Sequence, residues 1–192
     1  HDVGDSLSPL VDLGQIEALL KADTTSTQAS TDASADPIVG SPLALFPGSG
    51  SGVARTLIDS LHLSGIRASA LPDVATVIAQ VARDPRAIGF IPFAAISDLD
   101  NPAMRALRSQ VKLLPVARTM ETGALLPSQS TIADKTYPLR RRMNMILMEG
   151  KSGLGTGFVS FVANHKGQRI ILKLGVAPIT VPPRNVEMVP EQ

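Results

Sequence analysis

The 192-residue sequence contains no cysteine and no tryptophan, and aromatic residues make up only 3% of it. Without cysteine, neither a disulfide framework nor a thiolate nucleophile is possible. The scarcity of aromatic rings leaves almost no stacking surface for single-stranded nucleic acid. These absences exclude disulfide-stapled domains and thiol enzymes, and they argue against a nucleic-acid partner.

The sequence also lacks a strong net charge and long apolar runs. Its 18 basic and 17 acidic side chains give a formal charge of +1. This balance offers no global attraction to nucleic acid or to an anionic membrane, so any preference for an anion must be local. No uninterrupted apolar run approaches the roughly 18 residues of a membrane span. With 44% apolar residues, the chain is expected to be soluble and globular, without a transmembrane segment.

Histidine is scarce, and its positions do not suggest a metal site or a catalytic base. His1, His62 and His165 are far apart, and none has a carboxylate or cysteine at ligand spacing. We therefore predict no metal and no cofactor. No serine stands in a recognised nucleophile context, so a non-catalytic protein is expected and a serine hydrolase remains the minor alternative.

The chain divides into three regions by composition. Residues 1–22 are expected to form an N-terminal helical segment, for which Asp12 is a candidate N-cap. Residues 23–40 are rich in Ser, Thr, Ala and Asp, and they predict a flexible loop. Residues 41–192 are expected to form an α/β domain with C-terminal helices.

Within this domain, short apolar runs alternate with helical patterns. Strands are predicted at residues 42–46, 66–71, 87–93, 111–116 and 143–148. Helices are predicted after residue 52 and after the caps Asp73 and Asn101, and one helix or a pair of helices is predicted over 157–174. The alternation favours an α/β fold with a central mixed sheet flanked by helices.

The stretch from Phe46 to Arg55 reads FPGSGSGVAR and joins a predicted strand to a predicted helix. Glycine lets the backbone approach a ligand closely, and the N-terminus of the helix adds partial positive charge. Such a loop can bind an anion. The candidate ligand-binding residues are Ser49, Gly50, Ser51, Gly52 and Val53.

Known phosphate loops do not match this stretch. Val53 stands where a dinucleotide fingerprint starting at Gly48 needs its third glycine. A Walker motif ending at Ser152 would need glycine at Met145. Nucleotide binding is therefore disfavoured, and a tight turn without a ligand remains open. The basic run 140–142 could attract an anion or a partner, but the solvated end of a strand is the favoured interpretation.

Several segments together resemble the phosphate-binding substrate-capture proteins of ABC transporters. Ser51-Gly52-Val53 resembles the Ser-Gly-Thr loop of that family, although Val53 replaces the threonine and no arginine shortly precedes Ser51. The family also has segments similar to Ala87-Ile-Gly-Phe-Ile, Tyr137-Pro-Leu-Arg-Arg, and Phe158 to Gly175 with Gly167-Gln168. These segments follow one another in the order that the family shows.

The resemblance implies a lobe of a type II periplasmic binding protein, mainly the second lobe and the C-terminal return. It further implies capture of phosphate or a related small oxyanion, a membrane permease as partner, and a location in the periplasm or cell envelope. Two alternatives stay open. The chain could be a degenerate binding-fold module that acts as a scaffold or protein-interaction domain, or the serine hydrolase mentioned above.

Overall fold

The computed structural model describes residues 11–21, 42–48, 50–119, 121–148, 150 and 153–179. The predicted flexible loop at residues 23–40 lies outside this part of the chain. The strands are β1 (Val11–Asp12), β2 (Leu43–Pro47), β3 (Ser69–Leu71), β4 (Ala87–Gly89) and β5 (Val116–Ala117). The helices are α1 (Leu13–Leu20), α2 (Gly52–Leu61), α3 (Val74–Arg83), α4 (Pro102–Arg108), α5 (Gln129–Ala133), α6 (Leu154–Ala163) and α7 (His165–Lys173).

The strands form two parallel sheets. In the larger sheet, β2 lies between β3 and β4, and in the smaller one β1 pairs with β5. The predicted mixed sheet would also contain antiparallel strands. Over the described ranges, antiparallel pairing is limited to an isolated bridge between Val116 and Leu125. Parallel strands joined by helices confirm the α/β class.

The two faces of β2 belong to two apolar clusters. Ala44 and Phe46 pack in a cluster with Leu57 of α2, whereas Leu45 packs on the other face with Val77 of α3. All five side chains are at most 2% exposed. Because successive side chains of a strand point to opposite faces, one short apolar run anchors helices on both sides of the sheet.

Three predicted helix caps are confirmed. Each cap accepts hydrogen bonds from backbone N–H groups in the first turn of its helix. The shortest of these bonds measures 2.7 Å at Asp12, 2.8 Å at Asp73 and 3.0 Å at Asn101. Hydrogen bonds from the backbone and hydroxyl of Thr76 lower the pKa of Asp73. Caps are local signals, which is why the sequence reveals them without knowledge of the tertiary fold.

The structure corrects several predicted elements. The strand expected at 111–116 is reduced to β5, and no strand forms at 143–148. A strand needs a hydrogen-bonded neighbour, and none of the described segments provides one for 143–148. Of the two alternatives for 157–174, the structure has the pair of helices, α6 and α7, divided at Asn164. The short helix α5 was not predicted.

The joint between α6 and α7 explains the Gly167-Gln168 pair. A Cβ at Gly167 would lie 2.5 Å from the Cα of Val162, so only glycine permits this close crossing. The Gln168 amide donates to the Val162 carbonyl at 2.8 Å and accepts from the Ile179 N–H at 3.0 Å. These two residues therefore have a structural role.

Replacement of Gly167 by alanine tests this crossing. We expect Gly167→Ala to lower the free energy of unfolding by about 1–3 kcal/mol, because the added methyl group meets backbone atoms that cannot yield easily. Gly157→Ala on α6 is the matched control, since a Cβ there meets nothing within 4 Å. Urea denaturation followed by far-UV circular dichroism measures both, and equal effects would contradict the packing argument.

Tyr137 joins the same core as β2 and is 9% exposed. Burial raises the pKa of its phenol to about 12. It is the only tyrosine in the chain, and the chain has no tryptophan. Its ionisation is therefore observable directly in the near-ultraviolet spectrum.

A spectrophotometric titration should show a midpoint near 12 for the folded chain and about 10 for the unfolded chain. Folding favours the neutral phenol, so its contribution to stability is complete below about pH 10 and is lost as the pH rises through 12. In Tyr137→Phe, the free energy of unfolding should fall by about 2–3 kcal/mol less than in the original chain as the pH rises from about 10 to about 12. A midpoint near 10 in the folded chain would refute the burial.

Candidate functional site

The Gly/Ser loop lies at the carboxyl end of β2, the central strand of the larger sheet. Gly48 adopts a φ of +74°, which turns the chain away from the strand. Its N–H donates to the Leu71 carbonyl at 2.6 Å, and its carbonyl accepts from the Ser51 N–H at 3.3 Å. The loop is therefore tied to the end of β3, and it delivers the chain directly into α2. Ligands of open parallel sheets bind at this end of the strands.

Ser51 is the N-cap of α2. Its Oγ accepts a hydrogen bond from the Ala54 N–H at 3.2 Å, while its own O–H proton can still be donated. The N–H groups of Gly52 and Val53 have no acceptor within the described part of the chain. They belong to the first turn of a helix, whose N-terminus carries partial positive charge.

Arg141 reaches this helix end from a distant part of the sequence. Its guanidinium group lies against Gly52, where the carbon Cζ is 3.3 Å from the position that a Cβ would take. The absence of a side chain at Gly52 makes this approach possible. The ion pairs found in the described segments are Glu17 with Lys21 and Asp84 with Arg86, so Arg141 has no acidic partner there.

A guanidinium group at a helix N-terminus places positive charge beside positive charge. This arrangement is unfavourable by itself, and an anion between the two would stabilise both. Several hydrogen-bond donors meet at this point and could bind several oxygen atoms. They are the guanidinium N–H groups, the backbone N–H groups of Gly52 and Val53, and the Ser51 hydroxyl. Chemically, the arrangement suits a small oxyanion at the surface of the lobe.

Two depressions of the described surface lack Ser51, Gly52, Val53 and Arg141 among their lining residues, although one of them adjoins the loop at Gly48 and Ala54. One, of about 170 Å³, is mostly apolar; it is lined by Phe46, Gly48, Ala54, Ile66, Ala68, Ser69 and Ala70. Another, of about 300 Å³, includes Arg118 and Lys135, and neither contains Ser51 or Arg141. Gly52 and Arg141 are exposed and Ser51 and Val53 are half-buried, so the donors at the start of α2 are open to solvent.

The predicted site residues have different outcomes. Ser51, Gly52 and Val53 lie together at the start of α2, and Gly50 is exposed just before them. Ser49 lies outside the described residues. Sequence reasoning did not assign Arg141 to the site, because it favoured a solvated strand end for the basic run 140–142 over a role in attracting an anion or a partner. The signal was present in the Tyr-Pro-Leu-Arg-Arg segment, but proximity to Gly52 is a tertiary property.

Two other observations bear on the class of site. The described residues contain no group of three His, Asp or Glu side chains that could hold a metal ion. Likewise, no helix in the described ranges has the length and apolar character to cross a membrane.

Comparison with known proteins agrees with this class of fold. No family model matches the chain. Over 95 residues it is 28% identical to the phosphate-binding protein PstS 2 in two strains of Streptococcus pneumoniae. The structure matches a crystal structure described as a possible phosphate binding protein from Planctomyces limnophilus, with a TM-score of 0.58 and 12% identity.

These matches differ in extent. The sequence match covers 50% of this chain but only 27% of the length of the Streptococcus proteins. The structural match covers 92% of this chain and 61% of its counterpart. The chain thus shares the α/β fold of the Planctomyces protein over nearly all its length and is distantly similar to phosphate-binding proteins over half of it.

Substitutions of Ser51 separate its role as a cap from its role as a donor. Ser51→Ala should lower the free energy of unfolding by about 1 kcal/mol, because it removes the N-cap. Ser51→Asp should be at least as stable as the original chain, since aspartate caps well and its carboxylate faces the helix dipole and Arg141. Urea denaturation provides the comparison. If both variants were equally destabilised, the capping assignment would be wrong.

Proposed function

We propose that this chain is a non-catalytic substrate-binding component that captures phosphate or a related small oxyanion. The observation that carries the proposal is the Arg141 guanidinium lying against Gly52 at the start of α2. It supplies the cation that the Gly/Ser loop lacks in its own sequence. The named function of the Streptococcus proteins, phosphate binding, supports the same ligand class.

The ligand-binding residues in this proposal are Ser49, Gly50, Ser51, Gly52 and Val53, joined by Arg141. Val53 contributes its backbone N–H, because its side chain has no hydroxyl. Arg141 compensates for the missing threonine hydroxyl at this position, since a charge-assisted hydrogen bond is roughly twice as strong as a neutral one. A dianion such as phosphate gains more from this cation than a monoanion does.

The wider setting follows from the same proposal. A capture protein of this kind delivers its ligand to the permease of an ABC transporter and works in the periplasm or cell envelope. In this proposal, the binding domain comprises residues 41–192. It is preceded by a helical segment at 1–22 and a loop at 23–40.

The hydrolase alternative has little structural support. A catalytic serine needs a base within hydrogen-bond reach. The Ser51 hydroxyl oxygen is engaged as a helix cap, and His62 lies at the other end of α2. Ten helical residues separate them by about 15 Å along the helix axis.

Neighbouring arginines provide a sharp test of the site. Isothermal titration calorimetry with phosphate, with sulfate as the comparison anion, should show saturable heat for the original chain. Arg141→Gln should weaken phosphate binding about ten- to hundredfold, the usual value of a charge-assisted contact. Arg142→Gln removes the same charge from the next residue, and it should change the affinity less than about threefold because exposed charges act weakly at a distance.

Two further variants locate the anion. Gly52→Ala would push the Arg141 guanidinium aside with little effect on stability, because only the flexible end of a side chain must move. Ser51→Asp would keep the cap and place a carboxylate among the donors. Both should lose phosphate affinity. Equal losses in Arg141→Gln and Arg142→Gln, or no saturable heat in the original chain, would overturn the proposal.

A further inference from the structure

The Gly/Ser loop adjoins a mostly apolar depression of about 170 Å³. The depression lies between α2 and the edge strand β3. Both ends of the loop line it, with Gly48 directly after β2 and Ala54 in the first turn of α2. The proposed oxyanion donors at residues 51–53 stand between these two positions in the chain. A ligand bound by the donors therefore lies next to apolar surface.

Small side chains create this space. Ala70 pairs in register with Phe46, whose ring packs towards α2, so the Ala70 side chain lies on the same face of the sheet. Ala68 and Ala54 line the depression as well. Each of the three alanines contributes only a methyl group, where a larger apolar side chain would fill the gap between strand and helix.

The depression has the size and polarity of a site for a small apolar group. An apolar cavity of about 150 Å³ holds one benzene molecule. The residues that line the depression carry no charge, and Phe46 gives it an aromatic wall. Ala68 and Ala70 are exposed, so the depression is open on the side of β3. Such walls favour a hydrocarbon group over a second anion.

We infer that the loop binds a phosphoryl dianion that carries a small apolar substituent, the group shared by organic phosphonates and phosphate monoesters. The phosphoryl oxygens accept hydrogen bonds from the donors at residues 51–53 and from Arg141, and the substituent enters the depression. This ligand class rests on the proposed oxyanion function and narrows it.

Two features of the described structure favour such a ligand over inorganic phosphate. The positive charge at the start of α2 complements the phosphoryl dianion, but the donors are open to solvent, so water weakens their contacts with the ion. The apolar depression lies beside them. Burial of a substituent there adds affinity in proportion to the apolar area that it removes from water.

Isothermal titration calorimetry of the complete chain with phosphate, methylphosphonate and phenylphosphonate tests the ligand class, at a pH at which all three are dianions. Phenylphosphonate should bind at least about tenfold more tightly than methylphosphonate, because the phenyl ring buries more apolar surface. Arg141→Gln should weaken the binding of both phosphonates by the same factor. Phosphate should displace phenylphosphonate, because their phosphoryl groups share one site.

Substitutions that fill the depression test where the phenyl ring lies. Ala70→Leu and Ala68→Leu should each reduce the preference for phenylphosphonate over methylphosphonate to less than about threefold, because the leucine side chain occupies the space. Ala106→Leu makes the same change at an exposed position of α4 and should leave the preference within about twofold of the original. All three positions are exposed, so circular dichroism should show an unchanged fold.

Different results separate this ligand class from the proposed function. Saturable binding of phosphate without a preference for phenylphosphonate would overturn the ligand class alone. If neither phosphate nor the phosphonates bound, the proposed function would be wrong as well. A preference that persists in both Ala70→Leu and Ala68→Leu would place the ring elsewhere and overturn the inference, as would phenylphosphonate binding that Arg141→Gln does not weaken.

Discussion

The burial of strand β2 is the constraint on which the rest of the described structure depends. Its central residues Ala44, Leu45 and Phe46 are at most 2% exposed, and they alternate between two apolar clusters. Phe46 also stacks on Phe90 with ring centroids 5.0 Å apart. With neighbours on both edges and helices on both faces, this strand fixes where β3, β4, α2 and α3 lie.

The position of the candidate site follows from that strand. Where β2 leaves the core, the positive φ of Gly48 redirects the chain so that Ser51 caps α2 at the rim of the sheet. The backbone donors are therefore held by a buried element although they face water. The cation comes from Arg141, about 90 residues later. In the proposed site, the backbone N–H groups at the start of α2 would supply direction to an oxyanion and the Arg141 guanidinium group would supply charge.

Local signals made much of this structure predictable. The sequence by itself determined the α/β alternation, the caps Asp12, Asp73 and Asn101, and the position of the Gly/Ser loop between a strand and a helix, because each depends on residues a few positions apart. Its prediction of a strand at 143–148 was wrong for this chain, since pairing requires a partner that periodicity cannot supply. Only the tertiary structure decided that Arg141 lies against Gly52 and that the apolar side chains of residues 143–148 are exposed. Both depend on how distant segments meet in space, which no local pattern encodes.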